Sequence, residues 1–408
     1  MQKLALFGGE PIRKEPFPVW PRVKDHVKAQ LMATFSAEGW GIGSEAISRF
    51  DAKFAKFHDA DFCLSTSSGT AALWVALKAA GVKAGDEVIV PAYTFIATAS
   101  AVLMANAVPV FVDIDPNTLN INPALIRAAV TAETKVILPV HIGGNPAEMD
   151  EILDLGRKLK IKVIEDAAQA HGAEWKGKKV GALGLGGIFS FQTSKNMTAG
   201  EGGAIISNNE EFMDFCFSYY NCGRVRGGKW YEHNHLGGNF RLNAFAASIL
   251  AAQLEDLPGE MNLRDSNRLK LDNALAVLPG IKTIKKYPQT TRQSNHIYLT
   301  RYISGELNDI PRAMFFKAMQ AEGLYTYGGY KPLYREELFM VNNDEYPWLK
   351  NYNYTDLKLP VTETTAAKEV VWLKQNHLLG SDSDTGDIID AFEKVTYYLR
   401  TEPELFLK

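Results

Sequence analysis

Between about residues 60 and 210 the chain alternates short β-branched runs with helical patterns, and no other feature constrains its fold as tightly. The runs are Phe62–Ser65, Glu87–Pro91, Val108–Ile114, Lys135–Val140, Lys162–Asp166, Ile188–Phe191 and Ala204–Ser207. Helical spacing fills the gaps at Thr70–Ala80, Ile96–Asn106, Pro123–Thr131 and Glu148–Leu159. Nearly continuous apolar strands separated by helices predict an α/β fold, a mostly parallel seven-stranded sheet covered on both faces. The last two runs sit close together without a full helix between them, so one strand is expected to run antiparallel. In open sheets of this kind ligands bind beyond the carboxyl ends of the strands.

A chain of 408 residues exceeds the roughly 250–300 that one core fills, so more than one unit is expected. Residues 1–45, rich in proline and glycine around a helical stretch at Val23–Glu38, read as an arm or lid. Residues 46–255 form the large unit, and 256–408 a smaller C-terminal α+β unit. Its expected parts are a long charged helix near Leu257–Leu278, a strand at His296–Ile303 and helices at Pro311–Glu322 and Asp387–Leu399. The net charge of −3 supplies no basic field for nucleic acid or an anionic membrane. Ile96–Val112 is the longest nearly uncharged stretch, and its polar residues and Pro109 fit a buried helix and strand better than a membrane span. No secretory h-region is seen near the N-terminus. Cys63, Cys216 and Cys222 lack CxxC spacing, which predicts a reduced, cytoplasmic protein without disulfides or a metal site.

Three candidate sites follow strand ends. Ser65-Thr66-Ser67-Ser68-Gly69-Thr70 opens an alanine-rich helix, where exposed N–H groups and the helix dipole suit a phosphate; a plain N-cap is the other reading. Asp166 and Gln169 close the fifth run, and a carboxylate at a buried strand end needs a partner such as a protonated ring nitrogen, or else caps the next turn. Lys195 lies between the last two runs among hydroxyls and glycines, placed either to form a Schiff base or to be solvated on a loop. Together, a phosphate cradle, an acid for a ring nitrogen and a Schiff-base lysine are what pyridoxal 5'-phosphate requires. Phe95, after another strand end, adds a ring that can lie against the pyridine.

The stretches SSGTAAL, PAYTFIATAS, VIEDAAQAHGA, SFQTSKNMTAGEGGA and GGNFRLNAFAASILAAQL, taken in order, resemble the motifs of the DegT/StrS-type sugar aminotransferases, pyridoxal-phosphate enzymes of fold type I. CGRVRGGKWY and VWLKQNHLL are similar to stretches of the cyclitol (scyllo-inosose) aminotransferases and 3-amino-5-hydroxybenzoate synthases. The resemblance implies that Lys195 links the cofactor and carries the proton, that Asp166 pairs with the ring nitrogen and that Gln169 reaches the ring hydroxyl. It also implies that Ser68, Gly69, Thr70 and Ser190 hold the phosphate and that Phe95 stacks on the ring. Asn239 would reach the phosphate of a neighbouring subunit, making a homodimer with shared sites; it is otherwise a turn residue.

The implied reaction moves an amino group from glutamate or glutamine to an oxo-sugar, oxo-sugar acid or cyclitol. A nucleotide-linked keto-sugar and an aromatising reaction are the alternatives, while a dehydratase of this fold carries histidine in place of Lys195, and an intact Lys195–Asp166–Gln169 set argues against a non-catalytic protein. Arg224 and Arg226, in an aromatic, basic segment, are expected either to close over an acidic acceptor or to sit in a solvated loop. Around Tyr330 the His-Tyr pair of many relatives is missing, which argues against a nucleotide-linked sugar. His296 and His377 are candidates to face the acceptor, or structural histidines, and Tyr330 is a further candidate substrate contact.

Overall fold

A computed structural model describes residues 2–37, 39–340 and 346–407 of the chain. The large unit contains β1 (Phe62–Thr66), β2 (Glu87–Pro91), β3 (Val108–Val112), β4 (Thr134–Ile137) and β5 (Lys162–Asp166). A small hairpin, β6 (Glu174–Trp175) and β7 (Lys178–Lys179), precedes β8 (Gly186–Ser190) and β9 (Gly203–Ser207). Seven of these strands form one sheet in the order β1-β9-β8-β5-β4-β2-β3. Strand β9 pairs antiparallel with both β1 and β8, whereas β2 with β3, β2 with β4, β4 with β5 and β5 with β8 are parallel. Residues 191–202 contain no helix, so the chain turns straight back after β8. That reversal leaves the Lys195 loop at the same end of the sheet as the carboxyl ends of β5 and β8.

Helices cover both faces. They are α1 (Asp25–Ser36), α2 (Glu45–Phe57), α3 (Gly69–Ala79), α4 (Ala97–Met104), α5 (Pro123–Ala129), α6 (Met149–Leu159), α7 (Glu210–Tyr220) and α8 (Ala244–Leu275). Helix α1 falls within the expected stretch Val23–Glu38, whose final Glu38 lies outside the described residues. Val88 and Val90 of β2 pack with Leu73 and Leu77 of α3 on one face, while Ile89 joins Phe50 and Phe54 of α2 and Leu250 of α8 on the other. A strand buried on both sides carries no polar face, which is why its sequence reads as a continuous apolar run.

Helix α8 begins well before the expected Leu257. Asn243 caps it by accepting from the Ala246 N–H, and Pro258 sits inside it. The charged amphipathic pattern becomes visible only after Leu257, because the first half of the helix is apolar and packs into the large core. The helix runs through Pro258, giving up the hydrogen bond that another residue there would donate. Its first half packs Leu250 and Leu254 into the large core and its last turns pack Leu271 and Leu275 into the smaller one.

The C-terminal unit has β10 (Ile281–Thr283), β11 (Thr290–Arg292), β12 (Ile297–Tyr302) and β13 (Val370–Lys374), with α9 (Arg312–Ala321), the short α10 (Pro360–Thr364) and α11 (Asp382–Thr401). Strands β10, β12 and β13 make an antiparallel sheet, and β11 joins the β6–β7 hairpin. Ser381 and Asp384 form a reciprocal capping box that starts α11 five residues ahead of the expected Asp387. The N-terminal segment is tied to this unit: Leu4 is buried in its core, and Glu322 accepts from the Ala5 and Ile12 N–H groups while pairing with buried Lys394 at 2.9 Å. Arg13 meets Asp384 and Asp387, each at 2.6 Å. No helix among the described residues is long and apolar enough to cross a membrane.

Candidate active site

Four strand ends and the C-terminal unit enclose a cavity of about 1010 Å³. Ser68, Gly69, Thr70, Phe95, Asp166, Gln169, Ser190 and Lys195 all line it, together with His296 and Tyr330. Residues spread over more than 250 positions of sequence thus converge because each lies at the carboxyl edge of the sheet or on the sheet that faces it.

Asp166 ends β5, and strand alternation separates it from Glu165. Glu165 faces away from the cavity and is fully engaged, accepting from Gly181 N (2.8 Å), Leu183 N (2.7 Å), Gly184 N (2.9 Å) and His141 Nε2 (3.1 Å). Asp166 is 4% exposed and faces the cavity. It accepts from Thr98 Oγ1 at 2.8 Å and from the Ala168 N–H at 3.1 Å. Burial still raises its pKa above the ordinary carboxylate value, against the lowering effect of Thr98, Ala168 and the charges of Lys195 and His141. Two donors therefore leave this carboxylate short of compensation, and a cation placed against it would supply the rest.

Lys195 shows the complementary shift. Burial of its amine lowers the pKa to about 8, and only the Asp166 charge opposes this. A lysine that titrates there is a nucleophile and a base near neutral pH. The folded protein binds this proton less tightly than the unfolded chain, so the group adds stability as pH rises above about 8 and adds none below it. Protein freed of cofactor is expected to capture pyridoxal phosphate at a rate that climbs through pH 8. Stopped-flow absorbance checks this, and a midpoint near the ordinary lysine value of about 10.4 would contradict the shift.

Ser68 caps α3, its Oγ accepting from Ala71 N at 3.1 Å, so the capping reading and a place in the cavity wall hold together. A Cβ at position 69 would stand 2.8 Å from Ser190 Cβ, so glycine allows the α3 terminus to close against the end of β8. Gln169 is held at both ends of its amide: Oε1 accepts from Gly143 N at 2.7 Å and Nε2 donates to Tyr330 Oη at 3.3 Å. Phe95 is 51% exposed within the cavity, free to cover a ring. His296 sits with Nδ1 3.3 Å from Asn196 Oδ1, and Asn196 Nδ2 donates to Ser294 O at 2.6 Å. The asparagine oxygen faces the histidine, so Nδ1 carries the proton, and burial keeps the ring neutral.

The fit to pyridoxal phosphate is good. The cavity offers an α3 N-terminus with glycine and hydroxyls for a phosphate, an under-compensated buried carboxylate for a ring cation and a low-pKa amine for an aldehyde.

Three expected positions lie elsewhere in the single chain. Arg226 pairs with Asp214 at 3.2 Å and lies over Phe217, while the backbones of Arg224 and Asn239 form isolated antiparallel β-bridges with His233 and Asn221. None lines the cavity, so the expected closure of Arg224 and Arg226 over an acceptor is not a feature of one chain. His377 is also outside it, with Nδ1 3.0 Å from Lys374 O and its ring against Phe17. Thr98, in the first turn of α4, and Thr94, in the bend before it, have hydroxyls 3.2 Å apart and did not stand out in the sequence. Trp20 and Tyr327 also line the cavity and were not singled out in the sequence, while Trp372, Lys374 and Gln375, which line it too, lie in the stretch VWLKQNHLL without having been assigned a role there.

The sequence pattern of the DegT/DnrJ/EryC1/StrS aminotransferase family matches residues 23–393. The chain belongs to this family. It is therefore a pyridoxal-phosphate-dependent aminotransferase of fold type I. It is 37% identical over 415 residues to an L-glutamine:2-deoxy-scyllo-inosose aminotransferase of Streptomyces lividus, covering 97% of both proteins. A 3-amino-5-hydroxybenzoate synthase of Amycolatopsis mediterranei is 38% identical over 331 residues, 80% of this chain and 85% of that protein. The crystal structure of a 3-amino-5-hydroxybenzoic acid synthase superposes with a TM-score of 0.84 at 32% identity, over 94% of this chain and all of that one. The aminotransferase's remaining question is what it aminates.

Proposed function

We propose that this aminotransferase moves an amino group from glutamine or glutamate to the oxo group of an unlinked, sugar-like acceptor, a cyclitol or a free oxo-sugar. The observation that carries the chemistry is the shared cavity of Asp166 and Lys195, with pKa values moved toward each other at the mouth of α3. When bound, pyridoxal phosphate supplies an aldehyde for the amino group and a ring that withdraws electrons from the carbon losing its proton. Ser68, Gly69 and Thr70 would hold the phosphate at the helix terminus, with Ser190 adding a hydroxyl. Asp166 would keep the ring nitrogen protonated, Gln169 would offer its anchored amide to the ring hydroxyl and Phe95 would cover the ring. Lys195 Nζ moves the proton, because a base that titrates near 8 is matched to neutral pH.

The acceptor class is supported by the scyllo-inosose enzyme that the chain resembles along its length and by the absence of the His-Tyr pair near Tyr330. A second reading, an aromatising activity, is favoured by the likeness to 3-amino-5-hydroxybenzoate synthase. Purified protein is assayed against inososes, free oxo-sugar acids and nucleotide-linked sugars, with products identified by mass spectrometry. Turnover of an unlinked polyhydroxy ketone is expected. Turnover of nucleotide-linked sugars alone, or release of an aromatic amine, refutes the acceptor assignment.

We also propose a homodimer in which Asn239 and the Arg224–Arg226 segment of one subunit complete the site of the other. Exposed Phe35 and Trp40 in one region, and Trp230, Tyr231 and Leu236 in another, supply apolar surface for such an interface. Lys195→Ala and Asn239→Ala subunits should each be nearly inactive alone. Mixed after dissociation, half the dimers carry one intact site, so about a quarter of the wild-type activity returns. An active monomer, or no recovery on mixing, contradicts the shared site.

A further inference from the structure

The cavity contains a cation that the cofactor chemistry leaves unused. Lys374, the last residue of β13, lines the wall given by the C-terminal unit, its Nζ 4.6 Å from the centre of the Tyr327 ring. Among the described residues the carboxylates that line the cavity are Asp166 and Glu201, and neither is within 4.0 Å of that amine.

Gln375 follows it, 2% exposed and lining the same wall. Its Oε1 accepts from Arg264 twice, from Nε at 3.1 Å and Nη2 at 2.7 Å. A guanidinium has only donors, so the amide orientation is fixed: the oxygen faces Arg264, and Nε2 with its two N–H groups is the end left for a ligand. Arg264 itself is fully buried, and its Nη1 has no partner. Its one carboxylate contact, Glu260, is at 3.4 Å. The guanidinium lies 5.7 Å from the ring of Trp20, another lining residue. This wall therefore presents an ammonium and oriented N–H donors, with a buried cation behind them.

We propose that Lys374 and Gln375 form the subsite for the α-carboxylate of the amino donor. Charge-assisted N–H bonds of this kind suit a carboxylate and give a neutral polyol no comparable gain. The assignment rests on the aminotransferase reading, and it holds for glutamine and glutamate alike because both carry the group. It replaces Arg224 and Arg226 as the source of positive charge in the cavity of one chain.

The test follows the two half-reactions of the holoenzyme separately. Lys374→Met, and Gln375→Glu, which keeps an oxygen for Arg264 but loses the N–H donors, should each raise the donor KM by roughly ten- to a hundredfold. The acceptor KM and the absorption of the resting holoenzyme should stay close to wild type, and Lys374→Arg should restore most of the donor affinity. Calorimetry with glutarate, which has no amino or oxo group to react, should show binding to the wild-type holoenzyme that Lys374→Met weakens by a similar factor. Unchanged donor KM and glutarate affinity in both variants, or a rise confined to the acceptor, would overturn the assignment. If the wild-type holoenzyme reacts with neither amino acid, the proposed donor is wrong, and the glutarate measurement still decides whether this wall binds carboxylates.

Discussion

Lys195→Ala is expected to lower transamination by at least about 10⁴-fold, since in the proposed mechanism this one residue supplies both the cofactor link and the moving proton. The visible absorbance of the protein loaded with pyridoxal phosphate should vanish with it. The fold should survive, because Lys195 lies on a half-buried loop rather than in either core. Its amine is charged at neutral pH at some cost, shown by the pKa of about 8, so truncation should not lower the melting temperature of the cofactor-free protein. Pyridoxamine phosphate should still bind, because the α3 terminus and Asp166 are untouched. Turnover within tenfold of wild type would remove Lys195 from its role.

Asp166→Asn is the second large effect. An amide cannot offset the charge of a ring cation, and breaking a buried pair costs about 3–5 kcal/mol, which is roughly 10²- to 10⁴-fold in rate. A loss below about tenfold, or about 1.4 kcal/mol, would mean that another group protonates the ring. The cofactor-free protein should respond in the opposite sense. Burial raises the Asp166 pKa in the folded state, so this group's contribution is fully present below the ordinary carboxylate range near about 3.9 and is lost as pH rises through the raised value. Removing the carboxylate should flatten that part of the stability profile. Thermal melts across the acidic range, with and without pyridoxal phosphate, separate the structural effect from the catalytic one.

The sequence alone determined the sheet, its helical cover and several of the residues that line the cavity beside Lys195, and the reason is local. Each of Ser68, Phe95, Asp166 and Ser190 lies within about five residues of the end of an apolar run, and parallel strands deliver such ends to one edge. Even the reversal of β9 was legible, since no full helical pattern separates it from β8. The opposite faces of Glu165 and Asp166 follow from strand alternation, but which carboxylate meets the cavity depends on the 181–184 loop that engages the other. Helix α8 could not be bounded locally, because burial along both cores outweighs the hydrogen bond that Pro258 forgoes. The tertiary structure alone decided the far wall. Trp20 comes from a segment more than 300 residues from Tyr327 and Lys374, and although Lys374 lies in the stretch VWLKQNHLL, nothing local says that this stretch faces the strand ends. Arg224 and Arg226 looked like a clamp because they sit among aromatics near the lysine strand, yet Asp214 and Phe217 hold Arg226 on another face. Strand periodicity and capping act over a few residues and are written in the order of the chain. The charge that a substrate meets is set by which side chains remain unpaired after every segment has packed, and only the folded molecule fixes that.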